Sequence, residues 1–128
     1  MQERQTKQKQ IIYDALQTLD HPTATEVYGY VREMHPTLSR ATVFRVLSGF
    51  ASSGRALELR VAGHEVRYDY NVMPHYHAHC RLCGKLADVV AEGLPETGLT
   101  AKGCGGFEVD GYFVEFFGTC QACREKFT

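Results

Sequence analysis

The feature that most constrains this chain is a pair of Cys-x-x-Cys motifs in its C-terminal half, Cys80/Cys83 and Cys120/Cys123. Each spacing lets two thiolates bind one ion from a single tight turn, and two such turns supply the ligands of a tetrahedral zinc. The alternative is a pair of disulfides, but a bond across Cys-x-x-Cys closes a very small, strained loop. The pattern therefore predicts a structural four-cysteine zinc site.

Length and charge limit the remaining possibilities. A chain of 128 residues is one ordinary domain or two very small ones, and very small domains are often helped by a metal or an oligomer. No apolar stretch is long enough to span a membrane, and the polar start after Met1 together with the thiols favours a reducing cytoplasm. Residues 1–60 are weakly basic and residues 61–128 acidic, which fits a DNA-binding half joined to a metal-binding half.

Three amphipathic helices are predicted in the first half. Apolar residues recur at helical spacing from Thr6 to Leu19. The segment Thr23-Ala-Thr-Glu26 is a capping box that opens a second helix, which Pro36 ends. Ser39 caps a third helix and Gly54 stops it. Three short helices with tight connections, the last one rich in arginine, indicate a helix-turn-helix.

A predicted hairpin, Ala56–Val61 and Val66–Tyr70, follows the third helix, and this order is typical of a winged helix. The hairpin would lie along the phosphate backbone while the third helix enters the major groove. The alternative is a helical bundle with a solvated arginine face. The candidate DNA-binding residues on the third helix are Ser39, Arg40, Thr42, Phe44 and Arg45.

The second half predicts a small mixed sheet. Short strands are expected at His75–His79 and Leu86–Val90, and a short helix at Leu94–Lys102. Phe107–Phe117 is predicted as a long apolar strand that forms a homodimer interface, and a twofold dimer suits a palindromic DNA site. Cys104 has no role in this scheme.

Five segments, in this order, resemble the ferric uptake regulator superfamily of metal-dependent bacterial repressors. They are His21-Pro-Thr-Ala, Ser39-Arg-Ala-Thr-Val-Phe-Arg45, Arg67-Tyr-Asp-Tyr70, His75-Tyr-His-Ala-His-Cys80 with Cys83-Gly-Lys, and Cys120-x-x-Cys123. The resemblance implies an α+β fold with a winged helix-turn-helix DNA-binding domain at residues 1–70. It also implies a mixed α/β dimerisation domain at residues 71–128 that carries the four-cysteine zinc.

The resemblance further implies a regulatory metal site where the two domains meet. The positions that match the superfamily's regulatory ligands are His21, Asp69, His75, His77 and Asp88. Three imidazoles and two carboxylates suit Fe(II) or Mn(II) better than a closed thiolate site does. Independently of the resemblance, His75 and His77 lie two apart on one face of a predicted strand, which is hard to explain without a metal.

Both acidic ligands are aspartates, as in the peroxide-sensing branch of the superfamily. The resemblance therefore implies a repressor that senses peroxide through Fe(II)-catalysed oxidation of its own histidine ligands. Its expected partners are a palindromic DNA operator and a second copy of the chain, with no membrane and no small-molecule substrate.

Three alternatives remain open. The first is an iron- or manganese-responsive repressor of the same superfamily that does not sense peroxide. The second is a zinc-ribbon protein-interaction module, and the third is a thiol oxidoreductase or zinc hydrolase. The enzyme is disfavoured because one zinc would occupy all four motif cysteines, and no Ser/His/Asp or His-Glu-x-x-His pattern is present.

Overall fold

The computed structural model describes residues 2–91, 105–110 and 114–126. The chain divides into two compact units, Met1–Pro74 and His75–Thr128. No helix among the described residues is long and apolar enough to cross a membrane.

The first unit begins with three helices: α1 (Gln2–Thr18), α2 (Ala24–Val31) and α3 (Arg40–Ser52). Helix α1 starts before the predicted Thr6, because the preceding Gln, Glu and Arg residues are good helix formers. The prediction that α2 runs to Pro36 is wrong. It ends at Val31, and Met34 lies beyond its end with 79% of its side chain exposed.

The predicted N-caps of α2 and α3 are confirmed. The Thr23 hydroxyl accepts a hydrogen bond from the Glu26 N–H at 3.1 Å, and the Glu26 carboxylate accepts one from the Thr23 N–H at 3.4 Å. The Ser39 hydroxyl accepts from the Thr42 N–H at 3.1 Å. Gly54 follows α3 with a φ of +80°, a left-handed conformation that glycine adopts without strain.

The core of this unit lies where the three helices meet. Buried apolar side chains recur every three or four residues along each helix, so that one stripe of each faces the others. The principal members of this core are Ile12, Ala15, Leu16, Val27, Val31, Val43, Val46, Leu47 and Phe50.

A two-stranded antiparallel hairpin, β1 (Leu57–Leu59) and β2 (Arg67–Asp69), follows α3, and its strands are shorter than predicted. The Tyr68 ring is buried in the core, and the Tyr68 N–H donates to the Pro22 carbonyl at 2.9 Å. An isolated antiparallel bridge joins Thr23 to Arg67. The hairpin is thereby fixed to the segment that leads into α2.

The second unit contains a three-stranded sheet and one short helix. Strands β3 (Tyr76–Cys80) and β4 (Leu86–Val89) are antiparallel, and β5 (Phe116–Gly118) pairs with β3 in parallel. Helix α4 (Gln121–Lys126), which was not predicted, follows.

The prediction of one strand over 107–117 is wrong, because residues 107–110 are irregular and β5 begins only at Phe116. An apolar run becomes a strand only where a neighbour pairs with it, and within the described residues 107–110 has no such neighbour. The predicted helix at Leu94–Lys102 and the thiol of Cys104 lie outside the described residues.

We expect Thr23→Ala to lower the free energy of unfolding by about 1 kcal/mol, since it removes the hydroxyl that caps α2. Urea unfolding followed by circular dichroism measures this. Thr37→Ala, the same change at an exposed threonine, is the control and should stay within about 0.5 kcal/mol of the parent. Equal stability of the two variants would contradict the role of the cap.

Candidate metal centres

Strand pairing brings the two Cys-x-x-Cys motifs together. Cys80 is the last residue of β3 and lies opposite Gly118 at the end of β5, two residues before Cys120. Cys83 lies in the turn after β3, where Gly84 has a φ of +79°, and Cys123 lies in α4. Because β3 and β5 run parallel, both motifs follow the same edge of the sheet.

The four thiols form one cluster whose spacing fits zinc. All four Sγ atoms lie within 4.8 Å of one another, and those of Cys83 and Cys120 are 3.7 Å apart. In a tetrahedral zinc site with Zn–S bonds of about 2.3 Å, neighbouring sulfurs are roughly 3.8 Å apart. All four are free cysteines rather than disulfides. The cluster therefore suits a closed, structural zinc site.

The cluster also separates the proton affinities of its thiols. Backbone hydrogen bonds, first from Cys120 and then from Cys83, lower the pKa of Cys80 to about 6. Hydrogen bonding to the Cys120 thiol, followed by burial, raises the pKa of Cys123 to about 12. A thiol with a raised pKa, such as that of Cys123, must lose its proton before it can bind zinc as a thiolate. Zinc must displace the remaining protons, so its affinity should increase with pH.

The first unit places the side chains of His21 and Asp69 together. Nε2 of His21 lies 3.4 Å from Oδ2 of Asp69, and both side chains are buried. Nδ1 of His21 lies 2.6 Å from Oδ1 of Asp20. A carboxylate at one ring nitrogen fixes the tautomer and leaves the other nitrogen able to bind a metal. Asp20 was missed by sequence reasoning, and its only signal was its position next to His21.

The backbone of His21 is unusual. Its φ of +44° makes it the only non-glycine residue with a positive φ among the described residues. A left-handed conformation costs roughly 1–2 kcal/mol for most residues, although histidine tolerates it better than bulky side chains do. Surrounding contacts must hold His21 in place, and such strain is concentrated at functional sites.

The second unit gathers the other three predicted ligands. Oδ1 of Asp88 lies 3.2 Å from Nε2 of His75 and 3.3 Å from Nε2 of His77. Asp88 on β4 is the register partner of His77 on β3, and the two imidazole centroids are 4.2 Å apart. His79 follows on the same face of β3, but its ring lies 6.2 Å from that of Phe117.

Each unit therefore carries imidazole nitrogens and carboxylate oxygens spaced as ligands of one ion would be. An octahedral ion with ligands at roughly 2.1 Å holds neighbouring donor atoms about 3 Å apart. The measured separations in the two units are 3.2–3.4 Å. These N/O sets fit Fe(II) or Mn(II) and contain no thiolate.

The predicted DNA-binding residues of α3 divide into two kinds. Ser39 caps the helix, and its hydroxyl also donates to the Thr42 hydroxyl at 2.9 Å. The Arg40 guanidinium lies over the Phe44 ring, 4.5 Å from its centroid. Arg45 is exposed. Ser39 and Thr42 therefore stabilise the N-terminal end of the helix, whereas Arg40 and Arg45 carry its positive charges.

A cavity of about 470 Å³ lies beside the exposed face of α3. Lys9, Arg45 and Arg55 contribute cations to its lining, and Gln5 and Gln8 contribute neutral polar groups. No carboxylate belongs to the lining in the part of the chain that the structure describes. Lys9 and Arg55 were not predicted as DNA-binding residues, and the arginine-rich composition of residues 35–60 was a signal for Arg55 only.

Aromatic rings hold Arg55 in position. Its guanidinium lies 4.5 Å from the Tyr13 centroid and 4.9 Å from the Phe50 centroid. These two rings meet edge to face at 5.4 Å. Cation–π contacts of this kind restrict the side chain without neutralising it.

Residues 1–117 match the sequence pattern of the ferric uptake regulator family. The peroxide operon regulator of Bacillus subtilis (strain 168) is 36% identical over 96% of this chain and 86% of its own length. The Campylobacter jejuni peroxide stress regulator superposes with a TM-score of 0.61 and 28% identity, over 67% of this chain and 64% of that one. The Helicobacter pylori ferric uptake regulator, at 18% identity, shares the fold with a TM-score of 0.72 over 92% of this chain and 80% of that one.

We expect Cys83→Ser to abolish zinc retention, because a serine hydroxyl does not replace a thiolate ligand at neutral pH. Secondary structure should decrease as well, since zinc binding contributes to folding. Metal analysis of the purified protein and circular dichroism measure the two effects. Cys104→Ser, the same substitution at the fifth cysteine, is the control and should keep the zinc. A well-folded Cys83→Ser protein that retains zinc would contradict the assignment.

Proposed function

The chain belongs to the ferric uptake regulator family, and we propose that it is a metal-dependent, peroxide-responsive repressor of transcription. It acts as a homodimer on a palindromic DNA operator. The observation that carries the proposal is the donor chemistry of the two N/O sets. Three imidazoles and two aspartates, with no thiolate among them, suit a redox-active Fe(II) ion or an inert Mn(II) ion.

The first unit acts as a winged helix-turn-helix domain, which we extend from residue 70 to Pro74. Helix α3 is the recognition helix, and the β1–β2 hairpin is the wing. Arg40 and Arg45 are the side chains best suited to base edges, since a guanidinium can donate two parallel hydrogen bonds to guanine. Lys9 and Arg55 add positive charge beside Arg45, which supports a role as phosphate contacts.

The second unit acts as the metal-binding dimerisation domain. Large apolar side chains are exposed along its C-terminal part: Phe107 is 77%, Val109 51% and Phe117 59% exposed. Several large exposed apolar side chains on a small unit favour association with another surface. A second copy of the chain is the proposed partner, because a twofold dimer presents two recognition helices to the two halves of a palindrome.

Two metals serve different roles. Cys80, Cys83, Cys120 and Cys123 hold the structural Zn(II). His21 and Asp69 from the first unit, with His75, His77 and Asp88 from the second, jointly hold the regulatory Fe(II) or Mn(II). An ion that needs ligands from both units favours the arrangement in which all of them can bind it, and that arrangement is the DNA-binding state.

Fe(II) bound there supplies reducing power towards hydrogen peroxide, whereas Mn(II) supplies little. The groups of the chain that would be oxidised are the imidazoles of His21 and His75, each gaining one oxygen atom from hydrogen peroxide, whose other oxygen would leave as water. An imidazole that has gained an oxygen is a poorer ligand, so the chain loses its hold on the metal. Without the shared metal the DNA-binding state is no longer favoured, and the repressor dissociates from its operator.

The test begins with operator sequences selected from random duplex DNA by the Mn(II)-loaded protein. Binding to the selected duplex is measured with Mn(II), Fe(II) and Zn(II), before and after a pulse of hydrogen peroxide. We expect the Fe(II) form alone to release DNA after the pulse. Mass spectrometry should then find one added oxygen on peptides that hold His21 or His75. The peptide of His64, an exposed histidine of the hairpin turn, serves as an internal control and should stay unmodified.

Each other outcome identifies an alternative. An unmodified Fe(II) form that stays on DNA would indicate an iron- or manganese-responsive repressor of the same family. Absence of DNA binding with any metal would favour a zinc-ribbon interaction module. Steady turnover of a substrate would favour an enzyme.

A separate prediction concerns sequence reading. Arg45→Ala should weaken binding to the selected operator by about 1–3 kcal/mol and relax base preference at one position of each half-site. Competition assays with single-base operator variants measure both effects. Arg32→Ala, at an exposed arginine after α2, is the control and should leave base preference unchanged. If all operators weaken equally, Arg45 contacts only phosphate.

A further inference from the structure

We propose that Arg67 is a positioning residue for the regulatory metal. It holds His21 in the conformation that binds the ion, and it makes this conformation depend on the docking of the β1–β2 hairpin. The inference rests on the proposed role of His21 and Asp69 as metal ligands. It concerns contacts within the first unit only.

The backbone of His21 must be held by its surroundings. A φ of +44° is uncommon for a residue with a side chain, and the residue before a proline is further restricted. Without external contacts the segment would relax towards an extended conformation. The imidazole would then be carried away from Asp69.

Arg67 supplies the contact that fixes this backbone. Its Nη1 atom donates to the His21 carbonyl at 2.9 Å and lies 3.2 Å from Oε1 of Glu26. The same Glu26 oxygen accepts from the Thr23 N–H in the capping box of α2. One guanidinium nitrogen therefore joins the strained residue to the first turn of α2.

Two residues of strand β2 contact His21, one at its backbone and the other at its imidazole ring. Arg67 and Asp69 lie two residues apart on β2, so their side chains leave the same face of the strand. Arg67 binds the His21 backbone, and Oδ2 of Asp69 lies 3.4 Å from the His21 ring. If β2 moves, the ligand's backbone and its companion ligand are displaced together.

The burial of Arg67 supports a positional role rather than a surface ion pair. Its side chain is only 19% exposed, and among the described residues its Nε is buried without a hydrogen-bond partner. Arginine rarely leaves a buried donor unsatisfied, because removal from water is costly. The His21 carbonyl and Glu26 bind Nη1 and leave Nε without a partner among the described residues. Arg67 is nevertheless largely buried.

The hairpin has a second attachment to α2. At its turn the Glu65 carboxylate accepts from the Thr25 hydroxyl at 2.9 Å and from the Thr25 N–H at 3.4 Å. The metal favours the held form of His21, and that form requires the docked hairpin. By reciprocal linkage, metal binding must therefore stabilise hairpin docking. Metal binding would in this way stabilise the proposed wing through contacts within the first unit alone.

The experiment measures Mn(II) affinity by calorimetry and amide hydrogen exchange of the hairpin, with and without Mn(II). Arg67→Ala should lower Mn(II) affinity roughly 10- to 100-fold, the usual effect of losing a residue that orients a ligand. It should also remove the slowing of hairpin exchange by Mn(II), while zinc content stays unchanged. A merely structural role would lower thermal stability without changing Mn(II) affinity.

Two matched controls isolate the contact. Glu26→Gln removes the ion pair but leaves the bond from Arg67 to the His21 carbonyl, so Mn(II) affinity should change little. Arg60→Ala removes an exposed arginine that pairs with Glu58, and it should leave both readouts at parental values.

Two results would overturn the inference. One is parental Mn(II) affinity in Arg67→Ala. The other uses the unaltered chain and does not depend on a variant that folds: no slowing of hairpin exchange when Mn(II) binds. His21→Ala separates this failure from failure of the proposed function. If His21→Ala retains Mn(II) affinity, the proposed metal site itself is wrong; if it loses affinity while Arg67→Ala does not, only the role of Arg67 is wrong.

Discussion

Four thiols within 4.8 Å of one another lie at the edge of the second unit where the parallel pair β3 and β5 ends. Of the described residues after Pro74, only Cys80, Gly84 and Leu86 are buried. The described part of this unit has little hydrophobic core, which supports a contribution of metal binding to its cohesion. His77 and Asp88 are register partners in the β3–β4 pairing, and the β3–β5 pairing of the same sheet brings Cys80 to the cluster. The nitrogen and oxygen ligands proposed in the second unit therefore lie on or next to the same sheet as the thiol cluster.

The two sets of ligands differ in the ions they suit. Thiolates are soft and favour zinc, whereas imidazole and carboxylate accept Fe(II) and Mn(II). The four cysteines form a closed set with no position for another ligand, which suits a structural role. The residues proposed as the regulatory set offer only imidazole nitrogens and aspartate oxygens, which suit an exchangeable ion. The two sets of ligands therefore favour different ions, so zinc and the proposed regulatory metal do not compete for the same site.

Local features and the clustering of the four cysteines were predictable from the sequence, whereas other long-range contacts were not. The caps at Thr23 and Ser39 are confirmed because a cap depends on residues within one helical turn. The family was recognised from ordered motifs, and the family match confirms it. In contrast, the bond from Arg67 to His21 joins residues 46 positions apart, which no local pattern indicates. The irregular stretch at 107–110 was mistaken for a strand because hydrophobicity alone does not specify a pairing partner.

The left-handed backbone at His21 also restricts which residues could replace this proposed ligand during evolution. Among residues with side chains, asparagine, aspartate and histidine enter this region most readily, and all three donate nitrogen or oxygen to a metal. Cysteine has no such preference, so a thiolate at this position would add conformational strain to the change in donor. The backbone conformation at His21 therefore limits which substitutions are tolerated there, independently of how well they bind a metal. A lineage that keeps this turn is therefore biased towards nitrogen and oxygen ligands, and so towards hard and borderline ions.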